Sequence, residues 1–171
     1  MEPSRKIRVL LVDDEKDFAD ILAKRLEVRD FYVTCVYNGD DAIARIQSEG
    51  YDVVVLDVLM PGKSGLDILK EMKAINPLMH IIMLTGHARV DTAIEGMELG
   101  AYDYLIKPAE TEDLVEKIRL ANSHKTSQEE RIRLAKTMPA SKKRGWKKFL
   151  GPISDLLQKD RTEDTDETDD A

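Results

Sequence analysis

Short apolar runs alternate with amphipathic stretches along the first 124 residues of the chain. Ile7-Arg8-Val9-Leu10-Leu11-Val12 is the first run, and it ends on acids. Tyr32–Tyr37, β-branched and aromatic, is the second. Val53-Val54-Val55-Leu56 and Ile81-Ile82-Met83-Leu84 are unbroken, as strands buried on both faces should be. Tyr102–Ile106 is the fifth. Between the runs, apolar residues fall at helical spacing: Phe18, Ile21, Leu22 and Leu26, then Ala42, Ile43 and Ile46. Leu66, Leu69 and Met72 follow, ended by Asn76-Pro77. Ala93, Ile94, Met97 and Leu99 form a fourth stripe, weakened by Gly96 and stopped by Gly100. Leu114, Ile118 and Ala121 form the fifth, with Thr111 as its N-cap. Five strands alternating with five helices predict an α/β fold, a doubly wound five-stranded parallel sheet with helices on both faces. Ligand sites in such sheets lie at the carboxyl ends of the strands, near the point where the strand order reverses.

The polar residues at those ends are the informative ones. Asp13 and Asp14 end the first strand, Asp57 the third, Thr85 the fourth and Lys107 the fifth. Each has a bland reading by itself. An acid pair is often a solvated turn, Asp57 is placed to cap a helix, and Lys107 before Pro108 resembles any surface lysine. Their arrival on one rim is a coincidence that core packing does not require. Clustered carboxylates raise one another's pKa unless a cation sits among them. Magnesium keeps several waters and takes one or two carboxylates plus phosphate oxygens, which matches this inventory. Asp57 is then a candidate carboxylate nucleophile forming an aspartyl phosphate. The metal and Lys107 would neutralise the phosphoryl oxygens, and Thr85 would hydrogen-bond one of them.

These segments resemble the receiver domain of two-component response regulators. Val9–Val12 with Asp13-Asp14-Glu15 is similar to that family's acidic pair. Asp57-Val58-Leu59-Met60-Pro61-Gly62-Lys63-Ser64-Gly65 resembles the loop after its phosphoacceptor. Leu84-Thr85-Gly86 resembles its switch hydroxyl, and Tyr104-Leu105-Ile106-Lys107-Pro108 its aromatic switch, lysine and proline. The match covers about residues 5–124, with the motifs in order. The resemblance implies a flavodoxin-like strand order 2-1-3-4-5. It implies magnesium held by Asp14 and Asp57 directly, by Asp13 largely through water, and by the backbone carbonyl of Leu59. It implies a cis Lys107–Pro108 bond, Asp57, Lys107 and Thr85 as the catalytic set, and Thr85 and Tyr104 as the switch that alters the surface of the fourth helix, fifth strand and fifth helix. The implied donor is a histidine kinase or a histidine phosphotransfer protein. The implied output is a changed surface for a partner protein, with phosphorylation-dependent homodimerisation a further expectation. The resemblance further implies that Leu59 and His87, two residues beyond Asp57 and Thr85, stand where that family tunes access of water to the phosphoryl group, and His87 also reads as a solvated loop residue.

Composition narrows the rest. The chain has 171 residues, 42% of them hydrophobic, enough for one domain with a tail or two small domains. A single cysteine, Cys35, excludes an intrachain disulfide and reads as a small buried hydrophobe in a strand. No apolar run is long enough to span a membrane and the N-terminus lacks a signal-peptide core, so a cytoplasmic location is expected. His80 and His124 read as structural or solvent-exposed. Residues 1–124 carry −8, residues 125–148 carry +7 and residues 149–171 carry −6. The charge break predicts a receiver domain over 1–124, a basic and aromatic, partly helical extension over 125–159, and an acidic disordered tail over 160–171. The receiver's charge argues against direct DNA binding. Three readings of the basic-aromatic stretch around Trp146 and Phe149 stay open: docking on a partner protein, contact with anionic membrane or nucleic acid, and folding back on the acidic domain.

The expected function is a phosphorylation-activated signalling switch and not a metabolic enzyme. An aspartate-dependent phosphatase would need a second acid just after the nucleophile, where this chain has Val58 and Leu59. A phosphorylation-independent scaffold, or the receiver part of a larger regulator that has lost its output domain, is the alternative.

Overall fold

The computed structural model describes residues 5–86 and 89–139. Strands β1 (Ile7–Val12), β2 (Phe31–Val36), β3 (Val53–Leu56), β4 (His80–Thr85) and β5 (Asp103–Ile106) alternate with helices α1 (Lys16–Glu27), α2 (Gly39–Ser48), α3 (Gly65–Ile75), α4 (Val90–Glu98) and α5 (Thr111–Thr137). Every strand pair is parallel, and the order is β2-β1-β3-β4-β5.

The runs that look uniformly apolar in sequence are two interleaved faces, because successive side chains of a strand point to opposite sides. Leu10, Val12, Val54, Leu56, Ile81 and Met83 meet Ala42 and Ile46 of α2 and Ile68, Leu69 and Met72 of α3. Val9, Leu11, Val53, Val55, Ile82 and Leu84 meet Ala19, Leu22 and Leu26 of α1 and Leu114, Ile118 and Ala121 of α5. Each large aliphatic side chain buried this way contributes about 1.5–3 kcal/mol. The central strands β1, β3 and β4 are thereby fixed in register, and their carboxyl ends form a rigid rim.

Local polar groups set the helix ends. The Asn38 side chain accepts the Asp41 N–H at 2.8 Å, and the Ser64 hydroxyl accepts the Asp67 N–H at 3.2 Å. For α5 the expected cap is displaced by one residue. Leu114 N–H bonds to Glu110 O at 3.3 Å, so Glu110 holds the cap position and Thr111 is the first helical residue. Cys35 is half-buried on the edge strand β2 rather than fully enclosed. Burial, followed by the nearby Asp20 carboxylate, pushes its thiol up to about 11.

The opposite end of the sheet carries two polar clusters. Buried Asp52 accepts bonds from the Arg5 guanidinium, the Arg8 N–H and the Lys125 ammonium. His80 is buried, with Nδ1 2.9 Å from Leu78 O and Nε2 3.0 Å from His124 Nδ1. A carbonyl only accepts, so His80 Nδ1 carries the proton and His124 donates to His80 Nε2. Tyr102 packs on both rings.

A first compact unit ends at Lys125, and the described residues from Thr126 onward fall outside it. They are the part of α5 after Lys125 and the two residues that follow it. His87, the basic-aromatic stretch around Trp146 and the acidic run lie outside the described residues.

Candidate functional site

Backbone hydrogen bonds bring the rim together before any side chain does. Asp13 N–H bonds to Val36 O at 3.1 Å, Asp57 N–H to Val12 O at 2.9 Å, and Lys107 N–H to Thr85 O at 2.7 Å. These links carry the strand registers one step past the strand ends. Asp57 is therefore held beside Asp13, and Lys107 beside Thr85.

The loop after Asp57 closes on it tightly. Gly65 N–H bonds to Val58 O at 2.8 Å. A Cβ at Gly65 would lie 2.3 Å from Asp57 O and 2.5 Å from the Val58 Cα, a clash with backbone that no rotamer relieves. Glycine at 65 thus lets the start of α3 press against the backbone of Asp57. Gly62, at φ +84°, makes the turn between them.

Asp13 is 1% and Asp57 5% exposed, while Asp14 reaches solvent. One carboxylate oxygen from each of the three lies within 4.8 Å of the others. The Lys107 ammonium sits 2.6 Å from Asp13 Oδ2, 3.4 Å from Glu15 Oε1 and 3.9 Å from Asp57 Oδ2. Burial pushes the Asp57 carboxyl up to about 6. Lys107 pulls it down, Asp13 and Asp14 push it further up, and the Leu59 N–H, 3.4 Å from Oδ1, favours the anion. Burial alone would lower the pKa of Lys107, but its hydrogen bond to Asp13 and the nearby acids outweigh that and raise it. Three carboxylates facing one shared ammonium leave a negative excess in a partly dehydrated pocket. A hard divalent cation with oxygen ligands fits this donor set.

Thr85 is fully buried at the end of β4, and the Lys107–Pro108 bond is cis. Tyr104 of β5 is half-buried against the face covered by α2 and α3. Burial first, and then the nearby Asp57 charge, raise its phenol above the usual tyrosine value. Leu59 has about half its surface exposed. The structure thus brings Asp13, Asp14, Asp57 and Lys107 into one cluster, with the Thr85 carbonyl bonded to the Lys107 N–H beside it.

Two features of the site were not singled out from sequence. Glu15 brings a third carboxylate to Lys107, beside those of Asp13 and Asp57. Phe18, read as one member of the α1 core stripe, also places its ring centroid 4.2 Å from Lys107 Nζ. The available signal was position: α1 starts at the rim, so its first turn faces back towards the acid pair.

Fold and site together define a doubly wound α/β domain with a cation-ready carboxylate cluster at the switch point of its sheet. The sequence model of the response regulator receiver domain matches residues 9–119. The transcriptional regulatory protein ZraR of Salmonella typhimurium is 39% identical over 119 residues, which is 70% of this chain and 27% of that protein. Among solved structures, a response regulator receiver domain protein from Clostridium thermocellum aligns with TM-score 0.68 at 35% identity, covering 70% of this chain and 97% of that one. A response regulator from Burkholderia pseudomallei, described with a phosphorylated aspartic acid, a calcium ion and citrate, aligns with TM-score 0.64 at 27% identity, covering 76% and 84%. The chain belongs to the response regulator receiver domain family, whose members are signalling switches of two-component systems. It spans about a quarter of the length of the curated relatives it matches. No helix among the described residues is long and apolar enough to cross a membrane.

Proposed function

We propose that this chain accepts a phosphoryl group on Asp57 from the phosphorylated histidine of a kinase or phosphotransfer protein, in a magnesium-dependent reaction, and passes the signal to a partner protein through its α4–β5–α5 surface. The observation that carries this reading is the convergence of Asp13, Asp14, Asp57 and Lys107 within one rim cluster.

Asp14 and Asp57 would hold the ion directly, Asp13 through water, and the Leu59 carbonyl would add a ligand. The ion supplies neutralisation of the carboxylates and of the phosphoryl oxygens. An Asp57 oxygen attacks phosphorus in line, the P–N bond breaks, and the imidazole leaves with the electron pair and takes up a proton. Lys107 moves its ammonium from Asp13 towards a phosphoryl oxygen, and the Thr85 hydroxyl donates to another. Drawing Thr85 towards the phosphoryl group opens space behind it that Tyr104 fills. The outward result is a shift between two packings of α4 and β5.

The surface supports an output role. Val90, Ile94 and Met97 of α4, Ile106 of β5 and Leu120 of α5 are all exposed large apolar side chains. Exposed apolar side chains on these elements would suit either a partner or a second copy of the chain. The extension from residue 125 to 159 and the acidic run 160–171 are proposed as a partner-directed tail. Transcriptional regulation belongs to relatives of which this chain matches about a quarter, and the −8 charge of residues 1–124 gives no support to DNA binding by this domain.

The test is amide hydrogen exchange with a small phosphoryl donor and magnesium, on the wild type and on Asp57→Ala. Altered protection over α4, β5 and the start of α5, absent from Asp57→Ala, is expected. Unchanged exchange in a wild type that carries the phosphoryl group would replace the switch with a phosphorylation-independent scaffold.

A further inference from the structure

Among the described residues, four side chains lie against the Lys107 ammonium. Three are carboxylates: Asp13 at 2.6 Å, Glu15 at 3.4 Å and Asp57 at 3.9 Å. The fourth is the face of Phe18, whose centroid is 4.2 Å from the ammonium nitrogen. The carboxylates are poor permanent anchors. Asp13 and Asp57 belong to the cluster that suits a divalent cation, and that cation would compete for them and repel the ammonium. Glu15 is 66% exposed, so its attraction is screened by solvent. A lysine on a flexible four-carbon stem would then swing out to water.

The ring differs from the carboxylates. Its negative face attracts a cation within about 6 Å of the centroid, and the attraction grows when the cation is dehydrated. Lys107 meets both conditions, with its side chain only 12% exposed. A metal at the carboxylates does not displace a neutral ring. Phe18 is also well fixed: it lies in the first turn of α1 and packs on the core formed by Val9, Leu11 and Leu84.

We infer that Phe18 is a positioning residue for phosphoryl transfer, holding the Lys107 ammonium at the rim by a cation–π contact when the metal and phosphoryl group take over its carboxylate partners. This rests on the proposed function and assigns a role to a side chain outside the acid–lysine–threonine set. A purely structural Phe18 would fill volume on α1 and nothing more.

The two roles separate in a graded experiment on the full chain. Phenylalanines with increasing numbers of ring fluorines are placed at position 18, which keeps the shape and drains the negative face. The rate of Asp57 phosphorylation by acetyl phosphate is measured at saturating magnesium, alongside the thermal midpoint. The rate is expected to fall stepwise with fluorination, to a total of roughly 3- to 30-fold, while the midpoint holds or rises. Phe18→Leu is expected to lose rate similarly and Phe18→Trp to keep it. In a Lys107→Ala background, Phe18→Leu is expected to cost nothing further. Level rates across the series, or a Phe18→Leu loss that persists without Lys107, would overturn the role of Phe18 alone. A wild type that takes no phosphoryl group would overturn the proposed function and this role with it.

Discussion

At the residue scale, the site is costly to the metal-free fold. The Asp57 carboxyl titrates near 6 in the fold, against 3.8 for the free group. The folded state therefore binds its proton more tightly than the unfolded state does. Stability is greatest below the unfolded value and is lost as pH rises through the folded one. With the group 5% exposed, the loss is on the order of 1–3 kcal/mol at neutral pH. Asp57→Asn is expected to be more stable than wild type by about that amount in chelator at pH 7, as read by urea unfolding. Magnesium is expected to raise the stability of the wild type and to do little for the variant. A wild type as stable as Asp57→Asn without metal would contradict this picture. The identities of these residues were legible because each sits one step past an apolar run. Phe18 was not, because an aromatic at helical spacing reads as core, and its second contact depends on how deep α1 starts below the rim.

At the scale of elements, α4 is the loosest part of the sheet's cover. Its only buried residue is Gly96, whereas α1 and α3 each bury four. A Cβ at Gly96 would lie 3.7 Å from Leu66 Cδ2 and 3.8 Å from Met83 Cγ, ordinary contacts. Alanine therefore fits, and space is not what keeps glycine there. Gly96→Ala is expected to stabilise α4 by up to about 1 kcal/mol and to slow its amide exchange. If α4 repacks on phosphorylation, the variant is also expected to show a smaller exchange change. Unaltered exchange in both states would show that Gly96 does not set the looseness of the helix. The strands and the helical stripes were readable from periodicity. The reach of α5 to Thr137 was less so, because Gln128–Lys136 is dominated by polar residues and reads equally as helix or linker.

At the scale of the whole molecule, two buried groups give opposite acid responses. Burial, only partly offset by Leu78 O, lowers His80 from 6.5 to about 4. His124, Lys73 and Lys125 lower it further. Between those values the unfolded chain binds a proton that the folded chain refuses, so stability falls as pH drops from about 6.5 towards 4. Asp57 works the other way in nearly the same window. The wild type is therefore expected to show a shallow acid slope, Asp57→Asn a steeper one, and Asp57→Asn with His80→Gln a flat one, by chemical unfolding at pH 4.5 to 7. Parallel slopes in Asp57→Asn with and without His80→Gln would remove His80 as the cause. The histidine pair was invisible in sequence because it joins residues 44 apart, one on β4 and one on α5. Such pairing follows from the packing of an element, not from its pattern.

The central claim is phosphoryl acceptance by Asp57 with the help of a divalent ion. Intact mass of the full chain after incubation with acetyl phosphate and magnesium tests it most directly, with Asp57→Ala and a chelated sample alongside. One phosphoryl adduct on the wild type, absent from both controls, is the expected result. No adduct on a folded wild type, or an adduct that survives Asp57→Ala, would contradict it.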